Sequence, residues 1–206
     1  TQLDLQITTS PLAGQSVINL GSYGNLIAPV QVEGKWYYHL DRNGDGTIAG
    51  DAYTGDTGTY KLSEIYNLFK QDINGIAGPS TDDTYRYATV NGVKLALPTL
   101  GASVASPIAG TALNAPGETN GSYDDLSAIW DAHNGTGVGS YLGQGLNGAN
   151  RGTGDTTSGA PPTWVNDSYV SATPWPSSSD HAFLRLYDGL VEPHANWPMN
   201  VALQVL

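Results

Sequence analysis

The stretch Asp41-Arg42-Asn43-Gly44-Asp45-Gly46-Thr47 places oxygen-bearing side chains at alternate positions, with glycines between them. A hard cation such as Ca²⁺ needs this kind of donor set, because it takes about 6–8 oxygen ligands. The spacing predicts a calcium loop in which Asp41, Asn43 and Asp45 bind through their side chains and Thr47 binds through its carbonyl oxygen. Gly46 would allow the sharp turn with positive φ that such a loop requires.

The end of this loop departs from the EF-hand pattern, in which a bidentate Glu occupies the twelfth position. That position is Ala52, so we expect either Asp51 or Asp56 to complete the ligand shell. The segment before the loop, residues 35–40, is aromatic and strand-like, whereas an EF-hand has an amphipathic helix there. We therefore predict a calcium loop that follows a strand, and not an EF-hand sensor; the alternative is an acidic turn that binds no metal.

The composition predicts one folded domain over residues 1–206, because 39% of the 206 residues are hydrophobic and these include five Trp. The net charge is −11 with only eight Lys and Arg, so we do not expect nucleic acid as a partner. We also expect no membrane insertion, since the sequence has no run of about 18 apolar residues. Cysteine is absent. Disulfides and thiolate sites are therefore excluded, and bound calcium would be a substitute source of stability.

The elements that must position the loop are predicted to be mainly strands. Alternating apolar residues indicate strands at residues 3–7, 26–32, 36–40, 169–173, 182–187 and 201–206. Asn91-Gly92 is typical of a two-residue hairpin between residues 84–90 and 93–97. Residues 134–163 are rich in Gly, Thr, Asn and Ser, which favours a long surface loop, with a plain linker as the alternative.

Two short helices are predicted as well. Leu62, Ile65, Tyr66 and Phe69 recur at helical spacing, and the Asn and Gly of residues 72–75 would end this helix. A second helix would begin with a capping box formed by Ser122 and Asp125, and it would bury Leu126, Ile129 and Trp130. The fold class is therefore α+β, with mostly antiparallel strands, two short helices and long loops.

A second group of candidate residues lies on late loops between predicted strands. Rigid aromatic side chains beside acids and amides are typical of recognition surfaces. The group comprises Trp175, Asp180, His181, Asp188, Glu192, Asn196 and Trp197. We predict that these residues bind the ligand, although each one alone could equally be an ordinary loop residue.

The sequence does not favour catalysis. Its four histidines lack the His-Glu-x-x-His spacing, and neither a Gly-x-Ser-x-Gly elbow nor a phosphate-binding loop is present. Asp188 and Glu192 could in principle form a glycosidase pair, but the sequence does not give their separation. We expect a binding module and not an enzyme; a purely structural spacer is the remaining alternative.

Several strings, distributed in order over residues 30–206, resemble the ligand-binding, or peptide-binding, domain of the large RTX adhesins of Gram-negative bacteria. They include residues 36–38 before the loop at 41–46, and residues 69–75, 84–89, 95–99, 128–132, 171–174 and 201–206. The order of elements is also similar to C-type-lectin-like folds.

The resemblance implies a calcium-dependent domain excised from a larger, type I secreted adhesin and displayed outside the cell. Its partner would be the C-terminal peptide of a protein on a host or neighbouring cell, bound with the help of calcium. A calcium-dependent lectin that binds surface glycans is the alternative. We expect the isolated domain to be monomeric.

Overall fold

The computed structural model describes residues 12–55, 58–69, 87–99, 125–133, 161, 163–165, 167–174, 181–186, 191–193 and 198–206. The strands are β1 (Ile18–Asn19), β2 (Asn25–Val32), β3 (Lys35–Asp41), β4 (Tyr87–Val90), β5 (Val93–Ala96), β6 (Ser168–Pro174), β7 (His181–Arg185), β8 (Val191–Pro193) and β9 (Ala202–Val205). The helices are α1 (Leu62–Leu68) and α2 (Asp125–His133).

A six-stranded sheet has the order β1-β2-β3-β9-β5-β4, and every pair of neighbours in it is antiparallel. β3 is a central strand, because it pairs with β2 on one side and with β9 on the other. Its residues from Tyr37 to Asp41 are all buried. Since successive side chains of a strand point to opposite faces, a continuous buried run means that both faces of β3 are covered.

Two hydrophobic cores cover the faces of this sheet. Tyr38 and Leu40 pack into one core together with Ile65 of α1. Tyr37, which points to the opposite face, packs into the other core with Trp130 of α2. The sheet is therefore the middle layer of the fold, and the end of β3 is fixed by packing on both sides.

A smaller sheet contains β6, β7 and β8 in antiparallel order. Backbone hydrogen bonds join it to the large sheet, since Asn200 donates to the Ser168 carbonyl at 2.8 Å and Val170 donates to the Asn200 carbonyl at 3.2 Å. The Ala172 amide also donates to the carbonyl of Pro98 at 2.8 Å. The segment before β9 thus connects the two sheets.

The α+β class, with mainly antiparallel strands and two short helices, is confirmed for the described residues. The Asn91-Gly92 hairpin is confirmed too, because both residues have positive φ and Val90 pairs with Val93. α1 spans the predicted face and ends at Leu68, where the Phe69 amide donates to the Ile65 carbonyl. The helix thus ends before the predicted stop at 72–75, which itself lies outside the described residues. Also outside them are the strand predicted at 3–7, Ser122, and all of the loop at 134–163 except residues 161 and 163.

β8 was not anticipated. Residues 191–193 were assigned to a loop, but they pair with β7 at Ala182, Phe183 and Leu184. Their sequence, Val-Glu-Pro, is too short to show strand periodicity, and the strand exists because β7 offers an edge with which it can pair.

Candidate calcium site

The predicted calcium loop begins at the buried end of the central strand. Asp41 is the last residue of β3, pairs with Asn25 and is fully buried. The preceding amide, that of Leu40, donates to the Val201 carbonyl at 2.9 Å. The first predicted ligand is therefore held by a central strand that pairs on both sides.

The loop itself is closed by side chains that accept hydrogen bonds from its own backbone. The two carboxylate oxygens of Asp41 accept from the amides of Gly44 at 2.8 Å and Gly46 at 2.9 Å. Both glycines have positive φ, of 75° and 81°. The loop can therefore curl around the Asp41 carboxylate without the steric cost that a side chain would add.

Asn43 and Asp45 repeat this pattern along the exposed rim of the loop. The Asn43 side-chain oxygen accepts from the Asp45 amide at 2.8 Å. Asp45 Oδ1 accepts from the Thr47 amide at 2.8 Å and from the Thr47 hydroxyl at 2.7 Å. The Thr47 hydroxyl bond is the main cause that lowers the pKa of Asp45, so this exposed carboxylate is ionised at neutral pH.

Asp51 closes the loop, as one of the two sequence alternatives predicted; the other, Asp56, lies outside the described residues. Its Oδ1 accepts from the Asn43 amide at 3.1 Å, so the two ends of the loop are in contact. Its Oδ2 is buried and has no hydrogen-bond partner among the described residues. Asp51 exposes only 1% of its surface.

The environment of Asp51 disfavours its negative charge. The pKa of Asp51 is raised to about 6, with burial as the largest cause. The charges of Asp41 and Asp45 act in the same direction, and hydrogen bonds from the backbone of Asn43 and Arg42 act against them. A buried carboxylate beside two others, with one oxygen unpaired, is a costly arrangement in the absence of a cation. The three aspartates, the Asn43 amide oxygen and the loop carbonyls form an oxygen-only donor set, which fits Ca²⁺.

The side chains do not yet surround a single point. Within the part of the chain that the structure describes, no three acidic or histidine side chains form a metal-binding group. The Asp41 and Asp45 carboxylates are turned toward loop amides, and ion binding would require them to rotate. The structure therefore brings the five predicted ligands into one loop whose backbone is closed, but their side chains do not point to a common ion position. These ligands are Asp41, Asn43, Asp45, Thr47 and Asp51.

An open groove of about 640 Å³ lies beside the loop. One wall consists of the loop, including Asp41, Asp45 and Thr47, and the other side is mainly aliphatic. The groove residues outside the acidic turn are Val17, Asn25, Ile27, Ala28, Ile48 and Thr163. A ligand in this groove would contact the acidic loop and an apolar surface at the same time.

The groove wall at Ala28 has an unusual backbone. Ala28 has φ of 52°, and the pairing of β2 with β3 shifts register between Ile27 and Val30. Ala28 has no partner in the β2–β3 ladder, and the Trp164 indole N–H donates a hydrogen bond to its carbonyl oxygen at 2.8 Å. Non-glycine residues with positive φ cost about 1–3 kcal/mol and concentrate at functional sites.

His39 lies behind this wall in an aromatic cage. Its ring contacts Trp164 and Tyr169 edge-on, at centroid distances of 6.2 and 5.6 Å. Burial lowers its pKa to about 4, against the opposing effects of the Leu40 carbonyl, the Asn200 side chain and Asp41. His39 is therefore neutral at physiological pH and serves as a packing group.

Among the predicted ligand-binding residues, His181 and Glu192 lie in described segments. His181 begins β7, is 4% exposed, and stacks on Tyr66 with ring centroids 3.8 Å apart. Glu192 lies in β8 and pairs with Phe183. Both were assigned to loops but lie in strands. Trp175, Asp180, Asp188, Asn196 and Trp197 lie outside the described residues.

Two features of the site were missed by sequence reasoning. Gly24 has φ of 90°, and a Cβ atom at this position would overlap the Asp41 carbonyl oxygen. Arg42 is the second feature, since its side chain contacts residues remote from the loop. Gly24 could only have been found by knowing that the turn before β2 touches the end of β3.

No family model matches this chain, and neither does any curated protein or solved structure. None of the helices in the described ranges is long and apolar enough to cross a membrane.

Proposed function

We propose that this chain is a calcium-dependent cell-adhesion module of a large secreted bacterial adhesin, acting outside the cell. Its ligand is the C-terminal peptide of a surface protein on a host or neighbouring cell. The observation that carries the metal requirement is the unpartnered, buried Oδ2 of Asp51 in a loop with two further carboxylates. The sequence resemblance to the ligand-binding domains of RTX adhesins, and the similarity of the element order to C-type-lectin-like folds, support the rest.

The ion supplies positive charge and open coordination positions that accept oxygen atoms from a ligand. Asp41, Asn43, Asp45, Thr47 and Asp51 hold it, and the buried strand end at Asp41 fixes its place relative to the groove. The ion offsets most of the negative charge of Asp41, Asp45 and Asp51 in a protein of net charge −11, and it can itself bind an anionic oxygen. A ligand carboxylate then becomes acceptable at a surface that otherwise repels it.

The groove lining supports a peptide ligand over a glycan. Val17, Ile27, Ala28 and Ile48 offer aliphatic contacts for a side chain, and Val17 is 53% exposed. Sugar rings are commonly bound by stacking on aromatic faces. No aromatic residue is among the described residues that line this groove.

The test is a binding screen with calcium and with a chelator, against peptides with free or amidated C-termini and against a glycan array. We expect binding of free-carboxyl peptides in calcium only, and loss of binding on amidation. Amidation-insensitive binding would exclude carboxylate recognition, and glycan binding in its place would establish the lectin alternative. A lack of any calcium-dependent binding would overturn the proposed function.

A pair of truncations locates the ligand. Ile48→Ala shortens a side chain in the groove, whereas Gln31→Ala shortens an exposed side chain toward the other end of β2. Peptide affinity should fall by about tenfold in the first variant, since losing a buried aliphatic contact of one to two kcal/mol has this effect. The second variant should bind as the wild type does, and equal affinities would place the ligand elsewhere.

A further inference from the structure

The side chain of Arg42 leaves the calcium loop and enters an aromatic clamp. Its guanidinium carbon lies 5.2 Å from the centroid of the Tyr23 ring and 4.9 Å from that of Tyr60. Nη1 donates to the Ser22 carbonyl at 2.8 Å. The clamp therefore joins the residue between Asp41 and Asn43 to the turn before β2 and to the segment before α1.

The clamp also reaches the far end of the loop. The Tyr60 ring lies 5.6 Å from that of Tyr53, which follows Asp51 by two residues. Tyr53 is fully buried, and its backbone exchanges two hydrogen bonds of 2.7 Å with Met199. Burial raises the pKa of Tyr53, while the positive charge of the nearby Arg42 acts in the opposite direction. Arg42 therefore lies against residues that flank both ends of the metal loop.

We propose that Arg42 is a positioning residue of the calcium site, and that its clamp holds the backbone ends of the loop in register before the ion binds. The inference rests on the proposed calcium-dependent function. With residues 41–43 and 51–53 held in place, binding requires only that carboxylate side chains rotate. Without the clamp, the mutual repulsion of Asp41, Asp45 and Asp51 would act on a loop whose ends could separate.

The chemistry of the clamp is specific to arginine. A planar guanidinium can lie against two aromatic rings and still donate a hydrogen bond at its edge, whereas a lysine ammonium is a compact charge that cannot stack. Arg42 also places a positive charge next to an acidic loop without occupying the position of the ion. Its guanidinium contacts Ser22, Tyr23 and Tyr60, and among the described residues it forms no ion pair with a loop carboxylate.

The test is a calorimetric calcium titration of metal-depleted wild type, Arg42→Met, Arg42→Lys, Tyr60→Leu and the control Lys61→Met. Lys61 is exposed and adjacent to Tyr60, so this control removes one positive charge and leaves the clamp intact. The calcium Kd should rise about tenfold in Arg42→Met and Tyr60→Leu and about threefold in Arg42→Lys, as expected for a lost pre-organising contact. Lys61→Met should stay within about twofold of the wild type.

Thermal melting of the metal-free variants separates positioning from general stability. If Arg42→Met melts earlier but binds calcium as the wild type does, the clamp is only structural and the proposal is overturned. If Arg42→Met fails to fold, the same comparison of melting temperature with calcium affinity is made for Arg42→Lys and Tyr60→Leu, and wild-type calcium affinity in both overturns the proposal. If the wild type itself binds no calcium, the proposed metal requirement fails and this inference fails with it, whereas normal binding in every variant refutes the clamp alone.

Discussion

The buried aspartate Asp125 and the buried aspartates of the loop at Asp41 to Asp51 have opposite surroundings. Asp125, the first residue of α2, accepts hydrogen bonds from the Thr99 amide at 3.0 Å and the Thr99 hydroxyl at 3.2 Å. Its other oxygen accepts from Tyr37 and from the Lys35 ammonium, which lies 3.1 Å away. Both oxygens have donors, and a cation balances the charge.

The loop at Asp41 to Asp51 contains two buried aspartates, Asp41 and Asp51, and neither forms an ion pair with a described residue. The donors to these oxygens are backbone amides, and one oxygen of Asp51 has no partner in the described chain. Burial, together with the charges of Asp41 and Asp45, raises the pKa of Asp51 to about 6. The nearby cation, Arg42, is held by Tyr23 and Tyr60. Asp125 is therefore a completed structural contact, whereas the loop carboxylates form no ion pair among the described residues, which is the basis for proposing that a cation binds there.

The largest expected effect comes from breaking the completed contact. Asp125→Ala leaves Lys35, Tyr37 and Thr99 without their common acceptor, and removing one partner of a buried ion pair costs about 3–5 kcal/mol. The melting temperature should fall by roughly 6–20 °C, at about 2–4 °C per kcal/mol for a chain of this length. Scanning calorimetry with and without calcium should show the same loss, and restoration of stability by calcium would contradict the distinction between the two sites.

The next effect is expected when calcium binds to the loop. Calcium at about 1,000 times its Kd should stabilise the wild type by about 4 kcal/mol. For a chain of this length that corresponds to a rise in melting temperature of about 8–16 °C. A chelator should abolish the rise in the wild type, and Asp125→Asn should keep it because Asp125 lies outside the loop. Identical melting curves in calcium and in chelator would show that the loop does not bind calcium.

A smaller effect is expected where the neighbouring turn touches the loop. Gly24→Ala should destabilise the fold by about 1–3 kcal/mol, because an alanine at positive φ is strained and its methyl group overlaps the Asp41 carbonyl. Gly34→Ala is the control, since Gly34 has a similar φ of 79° with open space around its Cβ position. Chemical denaturation should show a larger loss for Gly24→Ala. Equal losses would mean that the contact with the loop is unimportant.

The smallest effect concerns pH. The pKa of Asp51 is raised from 3.8 to about 6 in the folded state, so the metal-free protein should lose stability from this group as pH rises from about 4 to about 6. The loss is about 1–3 kcal/mol, because each unit by which the folded-state pKa is raised corresponds to about 1.4 kcal/mol at most. Asp51→Asn should remove this pH dependence, as measured by urea unfolding at several pH values. A variant with the wild-type profile would assign the titration to another group.

The sequence predicts what is encoded locally. The oxygen spacing of residues 41–47, the Asn91-Gly92 turn and the helical spacing from Leu62 each depend on neighbours within one turn or loop. The structure confirms the hairpin and the helix and places the five proposed metal ligands in one closed loop. Whether they bind calcium stays a prediction.

Contacts between distant parts of the chain were not predictable. Asp125 was interpreted as part of a capping box with Ser122, yet its carboxylate binds Thr99, Tyr37 and Lys35, which are 26–90 residues away. The stacking of His181 on Tyr66 has the same origin, because α1 and β7 meet only in the folded state. Periodicity gives the face of an element, but it does not give the element against which that face packs.

The most direct measurement is a calorimetric titration of calcium into metal-depleted wild type, Asp41→Asn and Asp51→Asn at pH 6 and pH 7.5. The account predicts saturable binding by the wild type, with proton release that is greater at pH 6 because Asp51 must lose its proton when the ion binds. Both variants should bind at least tenfold more weakly, and Asp51→Asn should release fewer protons, since a lost charged ligand costs more than about 1.4 kcal/mol. A wild type that binds no calcium, or variants that bind it equally well, would contradict the central claim.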